Sequence, residues 1–144
     1  DKDLNEIINF VNFAFIAIGL TKRNDLKLRN NYFKKLKKIG FKLPNFIAKT
    51  SYVSKDSILG EGTIILNNSF INKGVKIGSN CIINTGSIIE HSSIIGNNTH
   101  ISTGVIINGS CIIGNNSFIG SGCVIPNNVI LKDKSFKRAL RLIT

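Results

Sequence analysis

Residues 51–134 can be written as consecutive hexads with no gap: SYVSKD, SILGEG, TIILNN, SFINKG, VKIGSN, CIINTG, SIIEHS, SIIGNN, THISTG, VIINGS, CIIGNN, SFIGSG, CVIPNN and VILKDK. The third position of every hexad is aliphatic, and the first is always Ser, Thr, Val or Cys. On a strand these two positions point to the same side, and the Asn- and Gly-rich fifth and sixth positions tolerate the backbone of a sharp corner. The pattern therefore predicts a β-solenoid in which stacked rungs bury each other's apolar faces.

The residues before the repeat predict an α/β segment. Phe13–Gly19 is a continuous apolar run, which is typical of a buried parallel strand. Residues 25–38 have apolar side chains at near-helical spacing with Gly40 just beyond them, and Phe41–Ala48 reads as a second extended piece. Strand, helix, strand is the latter half of a Rossmann-like unit, so we expect residues 1–50 to form a partial Rossmann-like α/β domain.

The repeat domain, residues 51–134, is followed by a tail of different composition. Residues 135–144 (SFKRALRLIT) predict a short amphipathic helix that begins at Ser135. No run reaches the roughly 18 apolar residues of a membrane span. Because the chain begins within a helical pattern and contains no Met, we interpret it as part of a longer protein.

The net charge of +11 is concentrated on the flanks of the repeat. Lys and Arg outnumber Asp and Glu by 11 to 4 in residues 1–50 and by 5 to 1 in residues 131–144, but residues 51–130 contain 3 of each kind. A nucleic-acid site is one interpretation of basic flanks, but no helix-turn-helix or RNA-binding signature accompanies them. We therefore expect no nucleic-acid partner, and interpret the basic residues as solvated faces or as a local attraction for anionic ligands.

The three cysteines, Cys81, Cys111 and Cys123, all occupy the inward first position of a hexad. With three hexads per rung, as the family resemblance described below implies, they fall on three different faces and cannot pair with one another, and no CxxC spacing suggests zinc. The sequence predicts that they are buried in the core, and free thiols favour a reducing cytoplasm.

The candidate chemistry lies around the two histidines, His91 and His100, which are nine residues apart. The run NTGSIIEH at residues 84–91, followed by THIS at residues 99–102, resembles the bacterial sugar acetyltransferases of the PglD and NeuD type. These hexapeptide-repeat enzymes form left-handed parallel β-helices with three hexads per rung, although parallel crossovers are otherwise right-handed. The resemblance implies an acetyl-CoA-dependent N-acetyltransferase acting on a UDP-linked amino sugar, with no metal, and a homotrimer with active sites between subunits.

The resemblance also implies a role for each candidate residue. His91 is the expected general base, since histidine can accept and release a proton near neutral pH, and Glu90 is expected to orient or polarise it. The resemblance implies that His100 contacts the acetyl thioester and that Asn84 contacts the acceptor. Two glycines complete the expected acetyl-CoA site: Gly109 as a backbone N–H donor and Gly104 as a place where the pantetheine arm passes close to the main chain.

Two other functions remain for such a prism, and two more are disfavoured by the sequence. O-acetylation of sialic acid or a related sugar fits the same family, and an inactive or truncated structural scaffold would keep the inward columns but has no use for Glu90 and His91. Carbonic anhydrases with this prism need three metal-binding histidines, whereas the repeat has two. Regular Thr arrays, which ice-binding prisms need, are absent.

Overall fold

The computed structural model describes residues 3–19 and 23–143, which belong to two compact units, Asp1–Pro44 and Asn45–Thr144. The first unit contains helices α1 (Asp3–Ile7) and α2 (Arg23–Ile39). Its small core consists of Ile16, Leu36, Phe41 and Leu43.

Helix α2 confirms the helix predicted for residues 25–38. It ends at Gly40, whose φ of 109° is reached most easily by glycine, and the Phe41 N–H bonds back to the Leu36 carbonyl at 3.0 Å. The buried strand predicted for Phe13–Gly19 was wrong, because this segment makes only a single parallel bridge, Phe13 to Lys42, and the Phe13 ring is 59% exposed.

The second unit is a parallel β-solenoid of two-residue strands arranged in three sheets. Sheet I consists of β1 (Phe46–Ile47), β4 (Ile64–Ile65), β7 (Ile82–Ile83), β10 (His100–Ile101), β13 (Phe118–Ile119) and β16 (Phe136–Lys137). Sheet II consists of β2 (Tyr52–Val53), β5 (Phe70–Ile71), β8 (Ile88–Ile89), β11 (Ile106–Ile107) and β14 (Val124–Ile125). Sheet III consists of β3 (Ile58–Leu59), β6 (Lys76–Ile77), β9 (Ile94–Ile95), β12 (Ile112–Ile113) and β15 (Ile130–Leu131).

Paired residues in neighbouring strands are 18 positions apart, as in the pair Ile82 and His100. Three hexads therefore make one rung, which confirms the predicted solenoid. The chain turns three times in each rung, and we call the turns the I–II, II–III and III–I corners after the sheets they join.

The core of the solenoid is built from the first and third hexad positions, as predicted. The third-position side chains from Ile65 to Ile125 are at most 2% exposed, and all three cysteines are buried and unpaired. Burial raises the pKa of the Cys111 thiol, and backbone hydrogen bonds from Val129 and Asn128 oppose part of that rise.

Hydrogen bonds explain why the first position carries Ser, Thr and Cys as well as Val. Each hydroxyl or thiol donates to a backbone carbonyl 15 residues further on, at a corner of the next rung. Examples are Ser87 to Ser102 at 2.8 Å and Ser93 to Asn108 at 2.9 Å. A small polar side chain thus fills the corner of the core and adds a hydrogen bond to a partly buried carbonyl of the next rung.

The III–I corner has a column of four closely approached glycines, whereas at the I–II corner only Gly120 has a similar contact, 2.5 Å from the Ala139 nitrogen, among the described residues. A Cβ placed on the fourth-position residues of the III–I corner, Gly60, Gly78, Gly96 or Gly114, would lie within 2.4–2.7 Å of the backbone nitrogen of the next rung. None of these four glycines has a positive φ, so the need is for close approach rather than for an unusual conformation.

The solenoid extends beyond the predicted limits at both ends. β1 pairs with β4, so the second half of Phe41–Ala48 belongs to the solenoid rather than to the α/β unit. The helix predicted for residues 135–144 was also wrong: Phe136–Lys137 is a strand paired with β13, and Ile143 joins the solenoid core.

Candidate functional site

The centre of the candidate site is His91, which lies exposed in the turn at the II–III corner. Gly109 occupies the same corner one rung later, and the Ser110 N–H beside it donates to the His91 carbonyl at 2.9 Å. A Cβ built on Gly109 would stand 2.6 Å from both Cε1 and Nε2 of His91. The imidazole therefore lies directly over the Cα of Gly109, in space that any side chain at that position would fill.

The φ of Gly109 is not positive, so its backbone conformation does not require glycine. The need for glycine comes from the His91 imidazole, which occupies the space of a Cβ. Within residues 3–19 and 23–143, the Gly109 N–H is used in no hydrogen bond. The corner thus presents an exposed imidazole beside a free backbone donor, the combination that acyl transfer needs for a base and for a developing oxyanion.

Glu90 is turned towards the preceding rung rather than towards the imidazole. Its Oε2 accepts a hydrogen bond of 2.5 Å from Nδ2 of Asn72, 18 residues earlier. Asn72 was not among the residues that we expected at the site, although its place one rung before Glu90 could have been read from the 18-residue period. Asn72 thus holds the carboxylate of Glu90, the residue directly before His91.

Asn84 lies at the I–II corner, so sheet II separates it from His91. Its Oδ1 accepts a hydrogen bond of 2.7 Å from the N–H of Thr85, which is a local turn contact. Gly104 lies one rung later at the same corner, with a φ of 64° and nothing within 4 Å of a built Cβ. Its conformation favours glycine, although Asn68 adopts a φ of 57° two rungs earlier at the same corner, and the space beside Gly104 is open.

His100 lies on the outer side of sheet I, where its ring is 5.2 Å from that of Phe118. Its side chain is 3% exposed. Nine residues is half of an 18-residue rung, and sheet I is the face opposite the II–III corner. One chain therefore holds His91 and His100 on opposite sides of the prism.

Two kinds of feature are absent from the part of the chain that the structure describes. No group of three or more His, Cys, Asp or Glu side chains is placed to hold a metal ion. Neither α1 nor α2 is long and apolar enough to cross a membrane.

Residues 41–142, which include nearly all of the solenoid, match the family described as the GMPPB C-terminal domain. The chain belongs to this family. Among curated proteins no sequence matches it significantly.

Solved structures with the same fold include the acetyltransferase domain of PglB from Neisseria gonorrhoeae FA1090. One structure of it is 25% identical with a TM-score of 0.78, covering 79% of this chain and 56% of that one. The complex of that domain with acetyl coenzyme A is 23% identical with a TM-score of 0.87, covering 97% of this chain and 68% of the other. This member of the GMPPB C-terminal domain family thus spans little more than half of the first PglB structure.

PerB from Caulobacter crescentus, solved in complex with CoA and GDP-perosamine, is also similar. It is 24% identical with a TM-score of 0.72, covering 94% of this chain and 72% of that one. These likenesses confirm the predicted hexapeptide-repeat left-handed β-helix.

Proposed function

We propose that this protein transfers the acetyl group of acetyl-CoA to the amine of a nucleotide-linked sugar, with His91 as the general base. The observation that carries the proposal is the exposed imidazole of His91 over Gly109, beside a backbone N–H that bonds to no other group among the residues that the structure describes. The fold shared with the PglB domain and PerB supports it. A UDP-linked amino sugar is our first choice of acceptor, and O-acetylation of sialic acid or a related sugar is the alternative.

In the proposed reaction the acceptor nitrogen attacks the carbonyl carbon of the thioester while His91 takes a proton from that nitrogen. The C–N bond forms, the C–S bond breaks, and the proton passes to the sulfur of the departing CoA. The Gly109 N–H stabilises the negative charge that develops on the carbonyl oxygen. Glu90, which Asn72 holds in place, is the residue before His91 in the chain, and we expect it to help orient the base.

The opposite placement of His91 and His100 supports the predicted homotrimer. If both histidines serve one active site, they come from different chains, so the site lies between the II–III corner of one copy and sheet I of the next. His100 is only 3% exposed, so of the two histidines His91 is the one that a substrate reaches directly. We expect sedimentation to give a trimer, and a monomer at micromolar concentration would remove the shared site.

Acetyl-CoA would then lie on the C-terminal side of His91, because Gly109 and the open space at Gly104 both lie in that direction. The last rung supplies cations for its phosphates. They are Lys132, Lys134, Lys137, Arg138 and Arg141. We further propose that the unit Asp1–Pro44 is part of a Rossmann-like domain and that the enzyme works in the cytoplasm, where its free thiols are stable.

The test is mass spectrometry of the products after acetyl-CoA is incubated with UDP-linked amino sugars, GDP-linked amino sugars and sialic acid. We expect one amino sugar to gain an acetyl group, and the gain to disappear with His91→Asn. Gly86→Ala is the matched control, because Gly86 lies at another corner and nothing lies within 4 Å of its built Cβ. If a trimer that binds acetyl-CoA acetylates none of these acceptors, the scaffold interpretation replaces the enzyme.

A further inference from the structure

A line of lysines leads along the II–III corner to His91. The fifth hexad position at this corner is Lys55, Lys73, His91 and then Gly109 in successive rungs. The Ser92 N–H donates to the Lys73 carbonyl at 3.1 Å, so Lys73 lies directly one rung before His91. At the fifth position of the I–II corner a single lysine, Lys49, is followed by uncharged residues.

The lysine side chains at this corner are accessible to a ligand. Lys55 and Lys73 are both exposed, and Lys76 is exposed on β6, in an outer row of sheet III that is otherwise isoleucine. Two carboxylates belong to the same region, Asp56 and Glu90, and Glu90 is held by Asn72. The cations therefore outnumber the acids on the N-terminal side of the imidazole, and one of those acids is already hydrogen-bonded.

We propose that Lys55 and Lys73 bind the pyrophosphate of the nucleotide-linked acceptor and so select a nucleotide sugar over a free sugar. This proposal rests on the proposed function, because it takes His91 as the reacting group. Ammonium groups on flexible stems are effective phosphate ligands. Rungs are stacked at a spacing of about 4.8 Å, so the two lysines lie roughly one and two such steps from the imidazole.

Both substrates contain a pyrophosphate, and their lengths distinguish them. In a nucleotide sugar the pyrophosphate is joined directly to the sugar ring, so it stays within a ring's width or so of the reacting amine. In acetyl-CoA the pantetheine arm separates the thioester from the pyrophosphate. A pyrophosphate within reach of Lys73 while the reacting group meets His91 therefore belongs to the acceptor.

The first test measures binding of UDP, GDP and CoA to the full chain by calorimetry, with no turnover required. We expect the double variant Lys55→Gln/Lys73→Gln to weaken UDP or GDP binding roughly 10–100-fold and to leave CoA binding unchanged. Lys49→Gln is the matched control, since it removes one exposed lysine from the same hexad position at another corner. Equal loss with the control would mean that net charge, rather than this corner, attracts the nucleotide.

Three further results would overturn the proposal. The wild type would bind neither UDP nor GDP, or the double variant would bind them as tightly as the wild type. The third result is a selective loss of CoA binding in the double variant, which would assign the lysines to CoA. In turnover, the double variant should raise KM for the nucleotide sugar with kcat within about twofold, and leave the reaction of the free amino sugar unaltered. Lysine-dependent nucleotide binding without any acetyl transfer would refute the acetyltransferase alone. Transfer with an unchanged KM would refute the lysine site alone.

Discussion

The contact between His91 and Gly109 allows the base assignment to be tested without touching the histidine. Gly109→Ala adds one methyl group, which would stand 2.6 Å from Cε1 and Nε2 of the imidazole. An ordinary contact begins at 3.4 Å, so the ring must move by about 1 Å. The Gly109 N–H stays in place, because alanine keeps it, so any loss of rate reports the displaced ring.

Two estimates bound the effect of this substitution. A displacement of about 1 Å at a reacting group costs on the order of 100-fold, and removal of a general base costs 10²–10⁴-fold, so we expect kcat to fall roughly 100-fold. Stability should hardly change. The φ of Gly109 is not positive, so alanine adds no backbone strain, and the exposed His91 side chain is free to move outwards. Alanine also lowers the entropy of the unfolded chain, which stabilises the fold by up to about 1 kcal/mol and offsets the cost of moving the ring.

The assay measures kcat and the thermal unfolding of each variant. Gly86→Ala is the control, because we expect it to change stability and not kcat. Gly86 has a φ of 68° with nothing within 4 Å of a built Cβ. Alanine there should cost about 1–2 kcal/mol of unfolding free energy from backbone strain and leave kcat unchanged. One glycine substitution should therefore impair the reaction and the other the fold.

A double-mutant cycle decides whether the loss passes through the imidazole. In a His91→Ala background, Gly109→Ala should cost nothing further, because the ring that it displaces is gone. The reasoning is refuted if folded Gly109→Ala keeps kcat within twofold of the wild type. An undiminished 100-fold loss in the His91→Ala background would instead give Gly109 a role of its own.

Three further predictions follow from named residues. His91→Ala should lower kcat by roughly 10²–10⁴-fold with little change in KM for acetyl-CoA, whereas His100→Ala should mainly raise that KM. Steady-state kinetics of both variants tests this, and a loss of kcat in His100→Ala with a raised KM in His91→Ala would contradict the two roles. Burial and the raised pKa of the Cys111 thiol keep its reactive thiolate scarce near neutral pH, so native protein should resist thiol reagents and react after denaturation; rapid native labelling would contradict the inward placement. Leu140 has a φ of 56° and is 83% exposed, so Leu140→Asn should raise the unfolding free energy by about 0.5–1 kcal/mol; a lower melting temperature would refute the strain.

The extent of the solenoid was only partly predictable, although the missing signal is visible in retrospect. Counting in sixes beyond the repeat places Ile47 and Ile143 in the aliphatic third position, and both belong to the solenoid. Two local exceptions hid the pattern. Asn45 replaces the usual first-position residue, with its Oδ1 accepting the Thr63 N–H at 2.9 Å, and Lys137 stands in a third position at the end of the core.

The sequence predicted the places of the candidate residues in the solenoid better than it predicted their contacts. The sequence placed His91 at a corner, where the structure has it, because the corner positions are set by the period. It treated Gly109 as a donor or a turn glycine, since no spacing rule shows that an imidazole one rung earlier occupies its Cβ space. The nine-residue interval between His91 and His100 is half of an 18-residue rung, so the period alone places them on opposite sides of one chain.

The glycines of the III–I corner constrain how this protein can be lengthened. Because the next rung's backbone passes within 2.4–2.7 Å of the missing side chains at Gly60, Gly78, Gly96 and Gly114, an extra residue there would force neighbouring rungs apart. The other two corners include exposed turns without such a column, among them the turn of His91. A designer who wishes to graft a binding loop onto this prism should therefore insert it at the I–II or II–III corner, and the II–III corner would carry it closest to the imidazole.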